Sequence, residues 1–566
     1  MPANMDELRD LYNRMINELG TWKPLWQEIG DYMVPWRNMI TTRSSPGTKL
    51  TDRIYDATAP QALTTAASAI QSSVTPDNLR WFSFTLGDRE LLQQDEVLPW
   101  LDDLANKVYH AITNSNFSAE VQELYSDLLA FGTGLMLVEE EPMQQAGRFA
   151  GVRFHTQQPG TFAIMEGADG RVDTAVREIP MRIGAVIKRW GIDTVSEDTA
   201  KLFKGGKSED MLRILHIVYP RTNSRTGALA PRERRIASVW AEVCASASSQ
   251  PGMPGQAGKL QLLEEKGMPE MPIMAPRWRK ISGETYGRSP GMLVLPDVRT
   301  LNQAVELRLK AWTLAVAPPI ITPDRGVVGQ IRLTPYGRIN VRPGVKLETL
   351  NIPSNFDVAN FSEDRLQTAI KAGFFVDLLQ FQSKAGTPIS ATEASIRFQT
   401  MQKILGPVVS RLHPELLAPV VQRVLNLMQR GGALPEPPPA LAGIDVSLEL
   451  IFEGPLSRVQ RMADIDSINQ FMSLMFPVAE VLPNVISRLD EDEFVETLAY
   501  ATALPAHLLR SREAAQIMRD EAKKKAEQQQ QLQNMVDLAP IIKEGAQIAK
   551  TPRALTAFNR AGEQAR

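Results

Sequence analysis

The sequence predicts an α+β protein that is mainly α. Three observations carry this. Apolar residues recur at helical spacing over long stretches towards both ends of the chain. Between residues 134 and 285 the texture changes to short apolar or alternating runs separated by Gly, Pro and Ser. At 318–356 a small island of β-type residues, fenced by prolines, interrupts two strong helical patterns.

Residues 5–35 read as a helix. Leu8, Leu11, Met15 and Leu19 lie at helical spacing, Trp22, Leu25, Trp26 and Ile29 continue one apolar face, and Pro35 closes the run. A polar loop, TTRSSPGTKLTD, comes next. ATAPQALTTAASAIQSSVTP reads as an Ala-rich helix that begins near Pro60 and stops before Pro76; its small residues suit close helix packing. RWFSFTL (Arg80 to Leu86) alternates as a strand does, and 97–131 reads as helix up to the glycines of FGTGLMLVEEE. FAIMEGADGRVDTAVREI is two apolar runs around Asp169-Gly170, a hairpin signal. ILHIVYP, RRIASVWAEV and KLQLLEEK read as strands, and 180–204 as helix.

From 296 the helices return, with Asp297 as a candidate cap. Val298, Leu301, Val305, Leu309, Trp312 and Val316 form a narrow apolar stripe of the kind that packs helix on helix, with Trp312 expected between the two. A second helix starts near Ser362 and carries Leu366, Ile370, Phe374, Leu378 and Phe381. After the loop QSKAGTPIS, Ser390 and Glu393 form a capping box for another long helix. Pro407, Pro414 and Pro419 predict a kink in it, and Gly431-Gly432 its end. LPEPPPALAG is a linker, VSLELIFEGP a strand, and helices fill 455–520. The Gln-rich tail beginning EAKKKAEQQQQLQNM reads as a weakly packed helix.

Composition excludes several classes. Of 566 residues, 43% are hydrophobic and 22% charged, and the net charge of −3 rules out a uniformly basic nucleic-acid coat. The single cysteine, Cys244, excludes an intrachain disulfide and a Cys-rich zinc site, and fits synthesis in a reducing cytosol. The start MPANMDELRDLYNRMINELG has no apolar h-region, and no run of about eighteen apolar residues occurs, so neither a signal peptide nor a membrane-spanning helix is expected. No phosphate-binding glycine loop, H-E-x-x-H or G-x-S-x-G is present. His110, His155, His216, His413 and His507 are scattered and read as core or surface residues. The carboxylates at 139–141 and 489–494 read as solvated faces or caps. No enzyme, cofactor or metal site is proposed by these patterns.

Four stretches together carry a resemblance: IYDATAPQALTTAASAIQSSVTPDNLRWFSFTL, FGTGLMLVEE, APRWRKISGETYGRSPGMLVLPDVRTLNQAVELRLKAWTLAVAPPIITPD and TPISATEASIRFQTMQKILGPVVSRLHPELLAPVVQRVL. In their order and spacing they resemble the portal proteins, or head-to-tail connectors, of short-tailed double-stranded DNA phages, over roughly residues 5–500. The resemblance implies a non-catalytic subunit of a homo-oligomeric ring, a dodecamer, at one capsid vertex. Double-stranded DNA is packaged and ejected through such a ring. The implied regions are a wing (1–290), stem helices at 291–317 and 357–382, a clip (318–356), a tunnel loop (383–390), a second wing portion with the kinked helix (391–454), helical crown (455–520) and tail (521–566). Lys371, Gln382, Ser383 and Lys384 are then candidates to face the DNA; the alternative for the lysines is a solvated outer face. Arg325, Arg332, Tyr336, Arg338 and Arg342 would lie on the clip, either docking the terminase large subunit and later the tail adaptor or joining neighbouring subunits. Major capsid and scaffolding proteins are further implied partners, and the place is the virion, after assembly in the host cytoplasm. A small island without its own core fits this, because neighbouring subunits would complete its short sheet. A passage for DNA should also avoid many phosphate contacts, which would hold the duplex still. Two rival readings remain: a pore-less helical scaffold or adaptor, and a metal-dependent nuclease.

Overall fold

The computed structural model describes residues 4–316 with gaps at 43–44, 46, 89–90, 92–95, 142–148, 222–232 and 245–254. It further describes 320–321, 348–349, 356–376, 404–441, 448–452, short stretches between 468 and 498, and 515–529. The chain divides into two units. One comprises Met1–Ser83, Leu104–Pro435 and Leu450–Leu456, and the other Phe84–Asp103, Glu436–Glu449 and Ser457–Arg566. Of the second, most of 84–103, residues 436–441 and 448–449, and helical stretches at 470–475 and 515–529 are described.

In the first unit, α1 (Met5–Met33) buries the expected apolar face, and Asn4 caps it by accepting the Asp6 N–H. Trp22 and Trp26 pack around Tyr286, at 5.7 and 5.4 Å between ring centroids, and Trp26 meets Phe131 edge-on. The Ala-rich α2 (Thr58–Val74) lies on α1 and on α4 (Phe117–Phe131) through Ala59, Ala62, Ala66 and Ala67. Strand β1 (Phe82–Leu86) comes after α2. The helix expected over 97–131 is two helices, α3 (Val97–Thr113) and α4. The break has a cause in Asn116. Its amide donates to the Phe154 carbonyl at 2.8 Å and accepts the Phe154 N–H at 2.9 Å, so the side chain pairs with a strand backbone.

The β-rich stretch forms two antiparallel sheets. Strands β2 (Met136–Glu140), β3 (Val152–Thr156) and β9 (Ile273–Met274) form a three-stranded sheet in the order β3-β2-β9. Strands β4 (Phe162–Glu166), β5 (Val172–Arg182), β6 (Met211–Pro220), β7 (Ile236–Cys244) and β8 (Lys259–Met268) form a five-stranded meander in chain order. The hairpin expected at Asp169-Gly170 joins β4 to β5, and Gly170 takes the left-handed conformation its turn requires (φ 74°). The region expected as helix over 180–204 begins as sheet. Pro180 to Arg182 still pair with β6, and the helices are α5 (Ile183–Trp190) and α6 (Glu197–Lys204). Ser196 restarts the helix by accepting the Thr199 N–H. Val186, Val195, Ile214, Trp240 and Leu263 are buried between these helices and the sheet.

One row of this sheet is polar. Arg177, His216, Trp240 and Glu264 are directly opposite one another on β5 to β8. Arg177 Nε donates to His216 Nδ1 at 2.9 Å, so the ring proton sits on Nε2 and points at Ser238 Oγ, 2.8 Å away. The imidazole stacks on Trp240 at 4.2 Å.

A buried cation joins the sheets to the helical residues near 415. The fully buried Arg277 pairs with Glu166 at the end of β4 and with Glu415 at 2.7 Å, and donates to the Gly170 and Thr285 carbonyls. Glu415 belongs to a π-turn, His413–Leu417, between the helical residues 404–412 and α9 (Ala418–Arg430). The kink expected from Pro414 and Pro419 takes this form, since neither proline can donate to the helical ladder. Strand β12 (Leu448–Phe452) matches the expected VSLELIFEGP strand, and Phe452 stacks on His413 and Trp81. The Ser390–Glu393 capping box lies outside the described residues.

Burial, then the nearby Arg177, Arg189 and Lys266 cations, hold His216 well below the ordinary histidine range. Its folded pKa is depressed, so the unfolded chain binds the proton more readily. Stability is therefore full above the ordinary value of about 6.5 and falls below it, by up to about 1.4 kcal/mol per pH unit. Denaturant melts at descending pH should show this slope, and His216→Gln should flatten it.

Candidate functional site

The two strong helical patterns around the island are α7 (Pro290–Val316) and α8 (Phe356–Gly373). Asp297 does not cap α7. The helix begins earlier, at Pro290, and Ser289 Oγ accepts the Met292 N–H at 3.0 Å while donating to the Ala130 carbonyl at 2.7 Å. Ser-Pro is the stronger start signal, because a first-turn proline loses nothing by lacking an N–H. The approach to this root is tight. A Cβ on Gly132 (φ 80°) would collide with the Gly287 carbonyl oxygen, and one on Gly287 with that of Gly132, so both positions exclude larger residues.

The helices are antiparallel. Val294 near the start of α7 lies against Gly373 at the end of α8, and Arg308 far along α7 pairs with Glu363 early in α8 at 2.6 Å. The register continues into β10 (Ile320–Ile321) and β11 (Glu348–Thr349), where Ile320 opposes Thr349 and Ile321 opposes Glu348. Residues 322–347 are therefore enclosed by a hairpin that is paired up to its last described residues.

Along α7 the apolar stripe divides. Val298, Leu301 and Val305 are buried, where α1, α4 and α8 pack on the root. Leu309 is 41% exposed and Trp312 is 61% exposed. The expectation that Trp312 packs between the helices is thus corrected: among the described residues, full burial along the stripe ends at Val305. On α8, Ile370 and Phe374 are buried, and Phe375 has a left-handed backbone (φ 59°) that ends the regular helix expected to reach 382. Leu378 and Phe381 lie outside the described residues.

Lys371 is exposed on α8, with no hydrogen bond or ion pair among the described residues. Gln382, Ser383 and Lys384, and likewise Arg325, Arg332, Tyr336, Arg338 and Arg342, lie outside the described residues. The cations of α7 are paired: Arg299 with Glu28 at 3.0 Å, Arg308 with Glu363, and Lys310 with Glu306. The hydrogen bond from Lys310 holds the Glu306 carboxyl below its usual range. Among the described residues no cluster of His, Cys, Asp and Glu could hold a metal ion, and no helix is long and apolar enough to cross a membrane.

Periodicity alone does not reveal the Arg308–Glu363 pair, although one signal is present. Glu363 falls on the same helical face as Leu366 and Ile370, and a carboxylate on a buried stripe requires a partner. Arg308→Ala leaves that carboxylate buried and unmatched. We expect a loss of ~1–3 kcal/mol in chemical denaturation, largely recovered in Arg308→Ala/Glu363→Leu.

Comparison with known proteins adds the family. The family described as "Bacteriophage head to tail connecting protein" matches residues 5–509. The "Probable portal protein" of Bordetella phage BPP-1 is 27% identical over 546 residues, covering 95% of this chain and 93% of the relative. The "Portal protein" of Salmonella phage epsilon15 is 27% identical over 521 residues, covering 90% of each chain. Among solved structures, a chain of "Neck of native GTA particle computed with C12 symmetry" aligns with 73% of this chain and 85% of its own length, at 13% identity and a TM-score of 0.32. With the match running through the two sheets, the α7–α8 hairpin and the π-turn helix alike, the chain belongs to the bacteriophage head-to-tail connecting protein family.

Proposed function

We propose that copies of this chain close into a ring, a dodecamer, at one vertex of a phage capsid, and that double-stranded DNA is packaged and ejected through its channel. The observation that carries the reading is the family match across residues 5–509. The role is structural and not enzymatic. In this reading 1–290 is the wing, 291–317 and 357–382 are the two stem segments, with the regular helix of the second ending at Gly373, 318–356 is the clip, 383–390 the tunnel loop, 391–454 the second wing portion, 455–520 the crown and 521–566 the tail. The antiparallel α7–α8 hairpin with its enclosed 322–347 segment suits a stem that carries a clip at its far end. The open half of the α7 stripe, Leu309 and Trp312, suits contact with the neighbouring copy.

The clip, with Arg325, Arg332, Tyr336, Arg338 and Arg342, docks the terminase large subunit and then the tail adaptor. Major capsid and scaffolding proteins surround the wing during assembly. Lys371, Gln382, Ser383 and Lys384 face the DNA. A net charge of −3, with scattered Lys and Arg, suits such a passage better than a basic groove would, since many phosphate contacts would hold the duplex still.

Electron microscopy of the purified full chain tests the reading: rings with a central hole are expected, and a stable monomer at every salt concentration overturns it. Lys384→Glu should leave ring assembly intact and lower the amount of DNA packaged or retained. Variant rings that fail to form would make the loop a structural contact instead.

A further inference from the structure

We infer that the loop joining α1 to α2 is a strap that fixes the direction of the α7–α8 hairpin, and that Asn302 is the positioning residue to which it is fastened. Asn302 lies inside α7, next to Leu301 in the buried stripe, and is itself buried. A buried amide inside a helix is unfavourable unless both its ends are bonded. Here both are. Nδ2 donates to the Val298 carbonyl at 2.9 Å, and Oδ1 accepts the Tyr55 N–H at 2.8 Å and the Asp56 N–H at 3.3 Å.

Asp56 then divides its carboxylate between two other helices. Oδ1 accepts the Thr58 N–H at 2.8 Å, at the start of α2, and Oδ2 accepts from Gln367 Nε2 of α8 at 2.8 Å. Two consecutive loop residues therefore hold α2, α7 and α8 together. The strap is fastened again upstream. Arg53 pairs with Asp31 of α1 at 2.6 Å, and Gln27 of α1 accepts the Thr41 N–H at 2.7 Å while donating to the Asn38 carbonyl at 2.6 Å.

The polar choice has a physical reason. α2 packs on α8 and is rich in small side chains, which make shallow ridges. Apolar burial there hides area but resists rolling and sliding weakly, because it is non-directional. Hydrogen bonds to Asn302 and Gln367 are directional and lock one orientation. Because α7 and α8 lead into the β10–β11 pair, the strap also sets where that pair sits relative to the sheets of the same unit. The inference goes beyond the portal reading and stands on the hairpin geometry, whatever the chain assembles into.

The test measures direction, in the full-length chain. Spin labels at Lys188→Cys and Thr313→Cys, both exposed, are introduced in a Cys244→Ser background, and the labelled chain is diluted into excess unlabelled chain. The distance distribution should be narrow. Asn302→Ala should broaden or shift it, about twofold in width. Asn302→Leu keeps the volume of the side chain without either hydrogen bond, and its distribution should be as broad as that of Asn302→Ala. If Asn302→Ala does not fold, Gln367→Ala removes the α8 limb alone and should broaden the distribution with the melting transition of the five-stranded sheet unmoved. An unchanged distribution in the alanine variants overturns the inference. So does a narrow Asn302→Leu distribution, which would reduce Asn302 to a packing residue.

Discussion

A buried guanidinium must be matched in charge and in hydrogen bonds, and Arg277 imposes that requirement on this fold. Its partners come from segments remote in sequence: Glu166 and the Gly170 carbonyl from the β4–β5 hairpin, Thr285 from the approach to α7, and Glu415 from the π-turn. Glu415 also accepts the Arg277 backbone N–H at 2.9 Å, and Arg411 approaches its other side at 3.3 Å. Lys280 completes the charge around Glu166 at 2.7 Å. Removing either carboxylate would leave a charge in a dry site, which costs far more than the intact pair contributes. The network therefore specifies one arrangement of three segments more than it adds stability.

The root of α7 depends on that arrangement. Once Arg277 is fixed, Trp278 donates its N–H to the Gly132 carbonyl and Gly287 donates its own to Thr133 Oγ1, so the strand of chain 277–288 lies on the end of α4. Ser289 then bonds Ala130 and starts α7 in the same step. The hairpin's point of departure is thus set by backbone approach at two glycines, and its direction by the polar strap. Neither device depends on the apolar stripe, which supplies burial without orientation.

This division explains what the sequence could and could not convey. Short apolar or alternating runs bounded by turn residues give β4 to β8 directly, because each strand's pattern and its turn are local. The Asp169-Gly170 hairpin needs nothing beyond its own two residues. Errors arise where a distant partner overrides a local pattern. Asn116 breaks a helix because the Phe154 backbone pairs with it, and Pro180 to Arg182 stay in the sheet because β6 is beside them. Arg277, Asn302 and Asp56 are invisible to periodicity for the same reason. Of the expected site residues, Lys371 alone lies among the described residues, and whether an exposed lysine meets solvent or duplex depends on neighbours that one chain does not supply.

The α7 stripe shows how one helix can serve folding and assembly in turn. Its root, at Val298, Leu301 and Val305, is covered by elements of the same chain and contributes to the subunit's own core. Its outer half leaves Leu309 and Trp312 open. Trp312, 61% exposed, leaves roughly 0.6 of the ~150–250 Å² of an indole side chain open, so at about 25 cal/mol per Å² its covering is worth about 2–4 kcal/mol. In a ring every copy would both offer and receive such a surface, and the gain would come with each neighbour contact, closure supplying the last. Lengthening the intrachain cover would stabilise the lone subunit and weaken that gain. On the proposed reading, the point where the chain stops covering its own stripe marks where folding ends and assembly begins.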